Sequence, residues 1–318
     1  MRTPSTYLDF EKPVAELETK IAELQAAGGS AIDEDVARLR EKAAKQLRDI
    51  YSHLTPWQKT QVARHPDRPH FIDYLDGLFD DFVELAGDRK FMNDDAIMGG
   101  LARFRGRSVV VLGHEKGRDT QTRLKHNFGM GKPEGYRKAV RLIELAGRFS
   151  LPVITLVDTS GAFPGKGGEE RGQAEALARS IEACMTLETP LVSVIVGEGG
   201  SGGAVALASG NRVLMMEHAV YSVISPEGAA SILFRDAKRA KDTAEAMKIT
   251  AQDLEKFRIV DGVVAEPMGG AHRDPKAAIQ RVGDAIEAAL SSLSGLSPAD
   301  LKRQRKERFY AIGRQVPA

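Results

Sequence analysis

Gly197-Glu-Gly-Gly-Ser-Gly-Gly-Ala204 decides how the rest of this chain is read. An apolar run, Leu191 to Val196, precedes it, and a run of small residues, Ala204 to Ala208, follows. A strand that turns through glycines into a helix leaves the first N–H groups of that helix unpartnered and open to a ligand. Such donors suit a phosphate or a developing oxyanion. The glycine order departs from the dinucleotide fingerprint G-x-G-x-x-G and its acidic residue about 20 positions on. It does fit G-x-S-x-G, with Ser201 as a nucleophile on a sharp turn. Three readings stay open on the loop alone: an oxyanion site of main-chain N–H groups, a serine nucleophile, and a tight turn without a ligand.

A second loop of the same kind, Asp158-Thr-Ser-Gly-Ala-Phe-Pro-Gly165, leaves the apolar strand Leu151 to Val157 and feeds a helix over Glu169 to Met185. Ligands of open parallel sheets gather beyond the carboxyl ends of adjacent strands, so both loops are expected to border one pocket. Gly165-Lys166 is not a P-loop. Ser160 stands where the first Gly belongs and Gly167 where a Ser or Thr would hold Mg²⁺, so Lys166 reads as a solvated residue. A third piece, Ser225-Pro-Glu-Gly228, follows the strand Tyr221 to Ile224, with Ser225 as helix cap and Pro226 in the first turn. Glu227 is a candidate general base that nothing in the sequence requires. Between Glu115 and His126, Lys116, Arg118, Arg123 and Lys125 crowd one loop. They suit the phosphates of a nucleotide-like cofactor, an acidic partner, or plain solvent.

The whole chain is 318 residues with a formal charge of +1, long enough for a large α/β domain and without a global field toward nucleic acid or membrane. Its single cysteine, Cys184, excludes an internal disulfide and a zinc site built from several thiolates. Cys184 lies on an apolar helical face and reads as a buried, inert thiol. The histidines are scattered, none in an i, i+4 ligand pair, and no metal is expected. No apolar run reaches membrane-spanning length and the amino terminus lacks a signal-peptide core, so a soluble, cytoplasmic protein is expected.

The first 55 residues carry two apolar stripes, Val14, Leu17, Ile21, Leu24 and Val36, Leu39, Ala43, Leu47, Ile50, Leu54, joined at Gly28-Gly-Ser30. They predict a helical hairpin. Thr55-Pro-Trp-Gln58 is a capping box. From about Ala96 strands take over: Ala96 to Arg103 and Ser108 to Gly113 around an Arg105-Gly-Arg107 turn, then the two apolar strands above and Val213 to Met216. A helix over Gly135 to Phe149 and a late helix carrying Ile279, Val282, Ile286, Leu290 and Leu293 complete a βαβ pattern. Ser297-Pro-Ala-Asp300 starts a terminal helix whose basic run, Lys302, Arg303, Arg305, Lys306 and Arg308, reads as solvated rather than nucleic-acid binding. The expected division is 1–55, a helical hairpin; 56–295, the catalytic domain; and 296–318, a C-terminal helix and tail.

Taken together, these residues resemble one known family. Leu54 to Gln58, Ala63-Arg-His-Pro-Asp-Arg-Pro69, Gly113-His-Glu-Lys-Gly-Arg-Asp-Thr120, Asn127-Phe-Gly-Met130, Pro133-Glu-Gly-Tyr-Arg-Lys-Ala139, both glycine loops, Tyr221 to Gly228 and Gly269-Gly-Ala-His-Arg273 match it in order. It is the alpha subunit of bacterial acetyl-coenzyme A carboxylase carboxyltransferase. The resemblance implies an α/β, crotonase-like (ClpP/crotonase) spiral of β-β-α units with an N-terminal helical extension. It implies transfer of the carboxyl group of carboxybiotin, borne on the biotin carboxyl carrier protein, to acetyl-CoA. The product is malonyl-CoA, the first committed step of fatty acid synthesis. Partners follow: a zinc-ribbon beta subunit in an alpha2beta2 assembly, and biotin carboxylase in the wider complex.

The resemblance also assigns roles to residues. The Gly202, Gly203 and Ala204 N–H groups would hold the biotin ureido oxygen, one such donor being worth about 3–4 kcal/mol of barrier. Gly161, Ala162, Phe163, Pro164 and Gly165 would line the biotin pocket, with Ser225, Pro226, Glu227 and Gly228 as its far wall. Lys116, Arg118, Arg123 and Lys125 are candidate contacts for coenzyme A or the carrier. Deprotonated biotin would take the α-proton, so no side-chain base is required. The rivals are a serine hydrolase using Ser201 with His218 or His272 and Asp261, a non-catalytic partner subunit, and a carboxyltransferase for another acyl-CoA.

Overall fold

The computed structural model describes residues 3–27 and 32–314. Its sheet opens with an antiparallel meander of β1 (Phe79–Glu84), β2 (Ile97–Phe104) and β3 (Arg107–His114). Arg105 and Gly106 take φ of 49° and 79°, the left-handed pair that lets a two-residue turn match the twist of its strands. From there the strands run parallel: β4 (Val153–Thr159), β5 (Leu191–Gly200), β6 (Arg212–Met216), β7 (Val220–Ser222) and β8 (Gly262–Val264). Every residue of β4 and β5 is buried, as a parallel sheet covered on both faces demands. Two strands are not apparent in the sequence. β1 is an acidic edge with only Phe79 buried, and β8 spans three residues.

On its edge away from β4, β5 serves two neighbours. Val192–Ile195 pair with Arg212–Met215 of β6, and Glu198–Gly200 pair with Val220–Ser222 of β7. The sequence reading ends this strand at Val196, but the backbone stays extended through the glycines to Gly200. Glycine is a poor strand former, so packing must compensate. A Cβ on Gly197 would meet the Asp158 carboxylate, one on Gly199 the Tyr221 ring, and one on Gly200 the backbone of Ser160. β7 in turn closes at Ser222, two residues before the expected end of its strand.

The N-terminal hairpin forms as expected from α1 (Lys12–Ala27) and α2 (Ile32–Tyr51), with Ile21, Val36 and Ala43 buried between them. Its Gly28–Ser30 turn lies outside the described residues. At its base Val14, Leu47, Tyr51 and Leu54 join Val62 of α3 (Pro56–Ala63), which opens on the reciprocal Thr55–Gln58 box. Arg273 reaches back to Glu11 and Glu18 at 3.3 and 2.8 Å, so this end of the hairpin packs on its own chain. Then come α4 (Phe71–Leu78), α5 (Thr120–Lys125) and α6 (Pro133–Arg148). The helix expected over Glu169 to Met185 is two, α7 (Lys166–Glu170) and α8 (Gln173–Thr186), parted at Gly172 with φ 79°. After β5 follow α9 (Ser201–Val205), α10 (Pro226–Phe234), α11 (Ala240–Ala246), α12 (Ala251–Lys256) and α13 (Pro275–Ser292).

The basic run of α14 (Pro298–Ala311) departs from the solvated face expected of it. Arg305 is fully buried and donates to the carbonyls of Cys184, Leu187 and Thr189 and to Asn211 Oδ1, at 2.5 to 2.8 Å. Carbonyls at a helix C-terminus have no intrahelical partner, and this guanidinium satisfies those at the end of α8. Cys184 is buried beside it, its thiol pushed up to about 12 by burial. Replacing Arg305 by Ala strands those acceptors and is expected to cost about 3–5 kcal/mol. Arg303→Ala, on an exposed side chain, should stay within about 0.5 kcal/mol of wild type. Chemical denaturation of the two variants checks the contrast.

Candidate functional site

β4 and β5 end side by side, and Asp158 lies at the seam. Its carboxylate accepts from the Glu198 N–H at 2.8 Å and from Lys116 Nζ at 2.7 Å, with His70 Nδ1 3.7 Å away. It fills the space beside Gly197, where a Cβ would come within 2.5 Å of it. Burial alone would push this carboxyl up. The Lys116 ammonium, His70 and the Glu198 N–H overcome burial and hold it well below the usual carboxylate range. His114, on the neighbouring β3, is fully enclosed, and burial lowers its imidazole to about 3.

Beyond Asp158 the two glycine loops interlock. A Cβ on Gly203 would lie 2.7 Å from Ala162 N, 2.8 Å from the Gly161 carbonyl carbon and 2.8 Å from the Tyr136 hydroxyl. Gly202 is different, because its nearest neighbour would be Leu177 Cδ1 at 3.5 Å. Gly161 takes φ 145°, bracketed by the Thr159 side chain, which accepts from its N–H and donates to its carbonyl. Because α9 starts at Ser201, the N–H groups of Ser201, Gly202 and Gly203 precede its hydrogen-bond ladder, and that of Ala204 is the first to enter it. Three further residues border the first loop. Phe163 donates its N–H to Gly131 O and packs under Lys132 Nζ, 5.7 Å from the ring centroid, and Gln173 holds its carbonyl at 3.2 Å.

The third piece docks through charge. Ser225 caps α10 by accepting from Gly228 N at 3.1 Å, as its sequence predicts. Glu227 is an ion-pair member, held by Arg64 Nη1 at 2.6 Å. The same guanidinium grips Glu198 Oε1 at 2.6 Å, and Lys116 lies 3.8 Å from the other Glu198 oxygen. Arg64, His70, Lys116, Arg123, Asp158 and Glu198 line a cavity of about 390 Å³ beside these loops. Arg64 and Glu198 had no role in the sequence reading. Their signals were a lone carboxylate within a run of glycines and a pair of arginines, Arg64 and Arg68, at helical spacing before it.

The basic loop does not act as one cluster. Lys116 is taken up internally, Arg118 pairs with Asp73, Arg123 faces the cavity, and Lys125 is exposed on α5. Lys166 is exposed, as expected, beside Glu170. The hydrolase constellation is not assembled. Ser201 does take the left-handed φ, 53°, of a nucleophile elbow. However, His218 packs edge-on to Tyr51, His272 stacks on His65 at 3.9 Å, and Asp261 pairs with Arg308 at 2.7 Å. Among the described residues no group of three or more His, Cys, Asp or Glu is placed to hold a metal ion, and no helix is long and apolar enough to cross a membrane.

A family model described as acetyl co-enzyme A carboxylase carboxyltransferase-like matches residues 7–313. The chain belongs to that family. It is 65% identical over 97% of its length to the acetyl-coenzyme A carboxylase carboxyl transferase subunit alpha of Caulobacter vibrioides, covering 98% of that protein. With the subunit alpha of Methylobacterium nodulans the identity is 63%, over 98% of this chain and 99% of the other. Solved structures of the same crotonase-like fold include the transcarboxylase 12S hexamer, at TM-score 0.56 and 20% identity over 70% of this chain. This chain spans only 42% of that one. A Pseudomonas malonate decarboxylase hetero-dimer matches at TM-score 0.55 and 17% identity, over 69% of this chain and 89% of its own.

Two expectations follow from the geometry. Gly203→Ala pushes a methyl group into the backbone of the other loop and should cost about 1–3 kcal/mol, whereas Gly202→Ala should fall within about 1 kcal/mol of wild type. Urea titration of both alanine variants separates the two glycines. The second expectation concerns acid. Burial lowers His114 to about 3, and burial with the nearby His65, Arg68 and Arg273 lowers His272 to about 2. An unfolded histidine titrates near 6.5, so between those values the unfolded chain binds protons that the folded one refuses. Stability is then full above about pH 7 and falls as the pH drops, by roughly 2 kcal/mol per ring at pH 5. Denaturant midpoints at pH 7.5 and 5.0 check the sign.

Proposed function

We propose that this chain is the alpha subunit of an acetyl-CoA carboxylase carboxyltransferase, moving a carboxyl group from carboxybiotin to acetyl-CoA to form malonyl-CoA. One observation carries the proposal: full-length relatives at 60–65% identity all bear that name, and the family match runs from residue 7 to 313. The site is compatible with it in chemical terms. Biotin supplies a ureido group that carries the carboxyl and bears negative charge once it departs. Free main-chain donors at Gly202 and Gly203 suit that oxygen, and they are aimed by a packed turn that reorganises little during reaction. Ala204 would support the turn through its ladder bond more than by donating to the ligand. Gly161 to Gly165 and Ser225 to Gly228 would form the other two walls beside this turn.

The finer assignments belong to the same proposal. A zinc-ribbon beta subunit would supply the acyl-CoA side in an alpha2beta2 assembly, with the biotin carboxyl carrier protein and biotin carboxylase as wider partners in a bacterial cytoplasm. Arg123 would be the basic-loop residue most available to coenzyme A or the carrier, since Lys116 and Arg118 are engaged within the chain.

Reconstitution with a beta subunit tests the reading. The complex should transfer the carboxyl of malonyl-CoA to a free biotin derivative, the reverse reaction, and the alpha chain alone should not. Within the complex, Ser201→Ala should lose less than about fivefold, because a turn residue with no chemical role is being trimmed. Gly203→Ala should lose on the order of a hundredfold or more, the scale of a misplaced oxyanion donor. A large loss in Ser201→Ala accompanied by an acyl-enzyme adduct in the wild type would instead establish the hydrolase.

A further inference from the structure

Five ionised side chains alternate in sign across the site: Asp158, Lys116, Glu198, Arg64 and Glu227. The links are 2.7 Å from Lys116 to Asp158, 3.8 Å from Lys116 to Glu198, 2.6 Å from Arg64 to Glu198 and 2.6 Å from Arg64 to Glu227. Each carboxylate belongs to a different wall of the candidate pocket. Asp158 opens the loop to Gly165, Glu198 lies within the glycine turn, and Glu227 is in the first turn of α10. The two cations come from outside all three: Arg64 caps α3, and Lys116 follows β3. Arg64 bridges Glu227 of α10 to Glu198 of the glycine turn. Side-chain exposure is 3% at Asp158 and 37% at Glu227, with 17%, 10% and 29% at Lys116, Glu198 and Arg64 between them. The chain is thus anchored in the core at one end and reaches solvent at the other.

We propose that this ion chain sets the spacing of the three pocket walls, with Glu198 and Arg64 as positioning residues for the biotin-facing site. The assignment to biotin rests on the proposed function above. The spacing claim does not. Three walls held by one alternating series cannot relax independently, since each inner charge is shared between two neighbours and neutralising Glu198 cuts the link between the Asp158–Lys116 pair and the Arg64–Glu227 pair. Glu198 is the central member, shared by both cations. Neutralising it should loosen the first loop and α10 together, although they are remote in sequence.

The test uses the alpha–beta complex carrying Glu198→Gln, Arg64→Met, or both, and Glu227→Gln at the exposed end, where folding is least at risk. Hydrogen exchange needs no activity. In Glu198→Gln, amides of residues 159–165 and 225–230 should exchange about tenfold faster while those of β2 and β3 are unchanged, the mark of a local opening. In turnover, the KM for a free biotin derivative should rise about tenfold, with the KM for the acyl-CoA and kcat within about twofold. Glu227→Gln should raise it about threefold, and the double variant should be no worse than the worse single, as expected for residues acting as one unit. Arg64→Lys should recover part of the loss. Unchanged exchange in both segments, or single effects that simply add, overturns the inference. If the wild-type complex does not turn over biotin, the proposed function falls, and the exchange result still decides the spacing claim.

Discussion

A buried carboxylate at the meeting of two parallel strands organises this protein. Asp158 accepts the Glu198 N–H, takes the Lys116 ammonium, and occupies the volume that any side chain at residue 197 would need. A desolvated charge is tolerated only where such partners surround it, so its position also dictates theirs. β5 must stay extended past Val196 to present its N–H, and that extension allows β7 to pair alongside.

From that anchor the two glycine loops are forced into close approach. Glycines in such a loop are commonly credited to ligand access, yet here most of them make room for the protein itself. Gly197, Gly199, Gly200 and Gly203 face Asp158, Tyr221, the Ser160 backbone and the Ala162 backbone. Only Gly202 among the loop's packed glycines has ordinary van der Waals space at its Cβ. Packing and donor placement are therefore coupled. A turn this tightly bounded holds its free N–H groups in one orientation, which is what electrostatic stabilisation of a transient charge requires.

Charge also ties the helical parts to the sheet, again through arginine. Arg68 pairs with Glu266 at 2.6 Å and donates to the Val196 carbonyl, Arg273 holds Glu11 and Glu18, and Arg305 closes the end of α8. In each case a planar fork with several donors satisfies groups from separate segments at once. Of the three, Arg68 anchors on β5 at Val196, immediately before the glycine turn.

Much of this was legible in order along the chain. Apolar runs located β4 and β5, the Thr55, Ser225 and Ser297 caps started their helices where expected, and the stripes of the first 55 residues paired as a hairpin. Periodicity and capping are local, so a sequence carries them openly. The acidic edge strand β1 and the three-residue β8 were invisible, because their pairing depends on neighbours far along the chain rather than on pattern. The arginines misled for the same reason. Arg305 reads as one charge in a solvated run, and Arg64 carries no role, until folding brings unpaired carbonyls or carboxylates to them. By itself the sequence determined most of the elements, the two loops and the family. Tertiary structure alone decided which glycines pack, which N–H groups remain free and which charges meet, since each of these is a distance between residues that the chain keeps far apart.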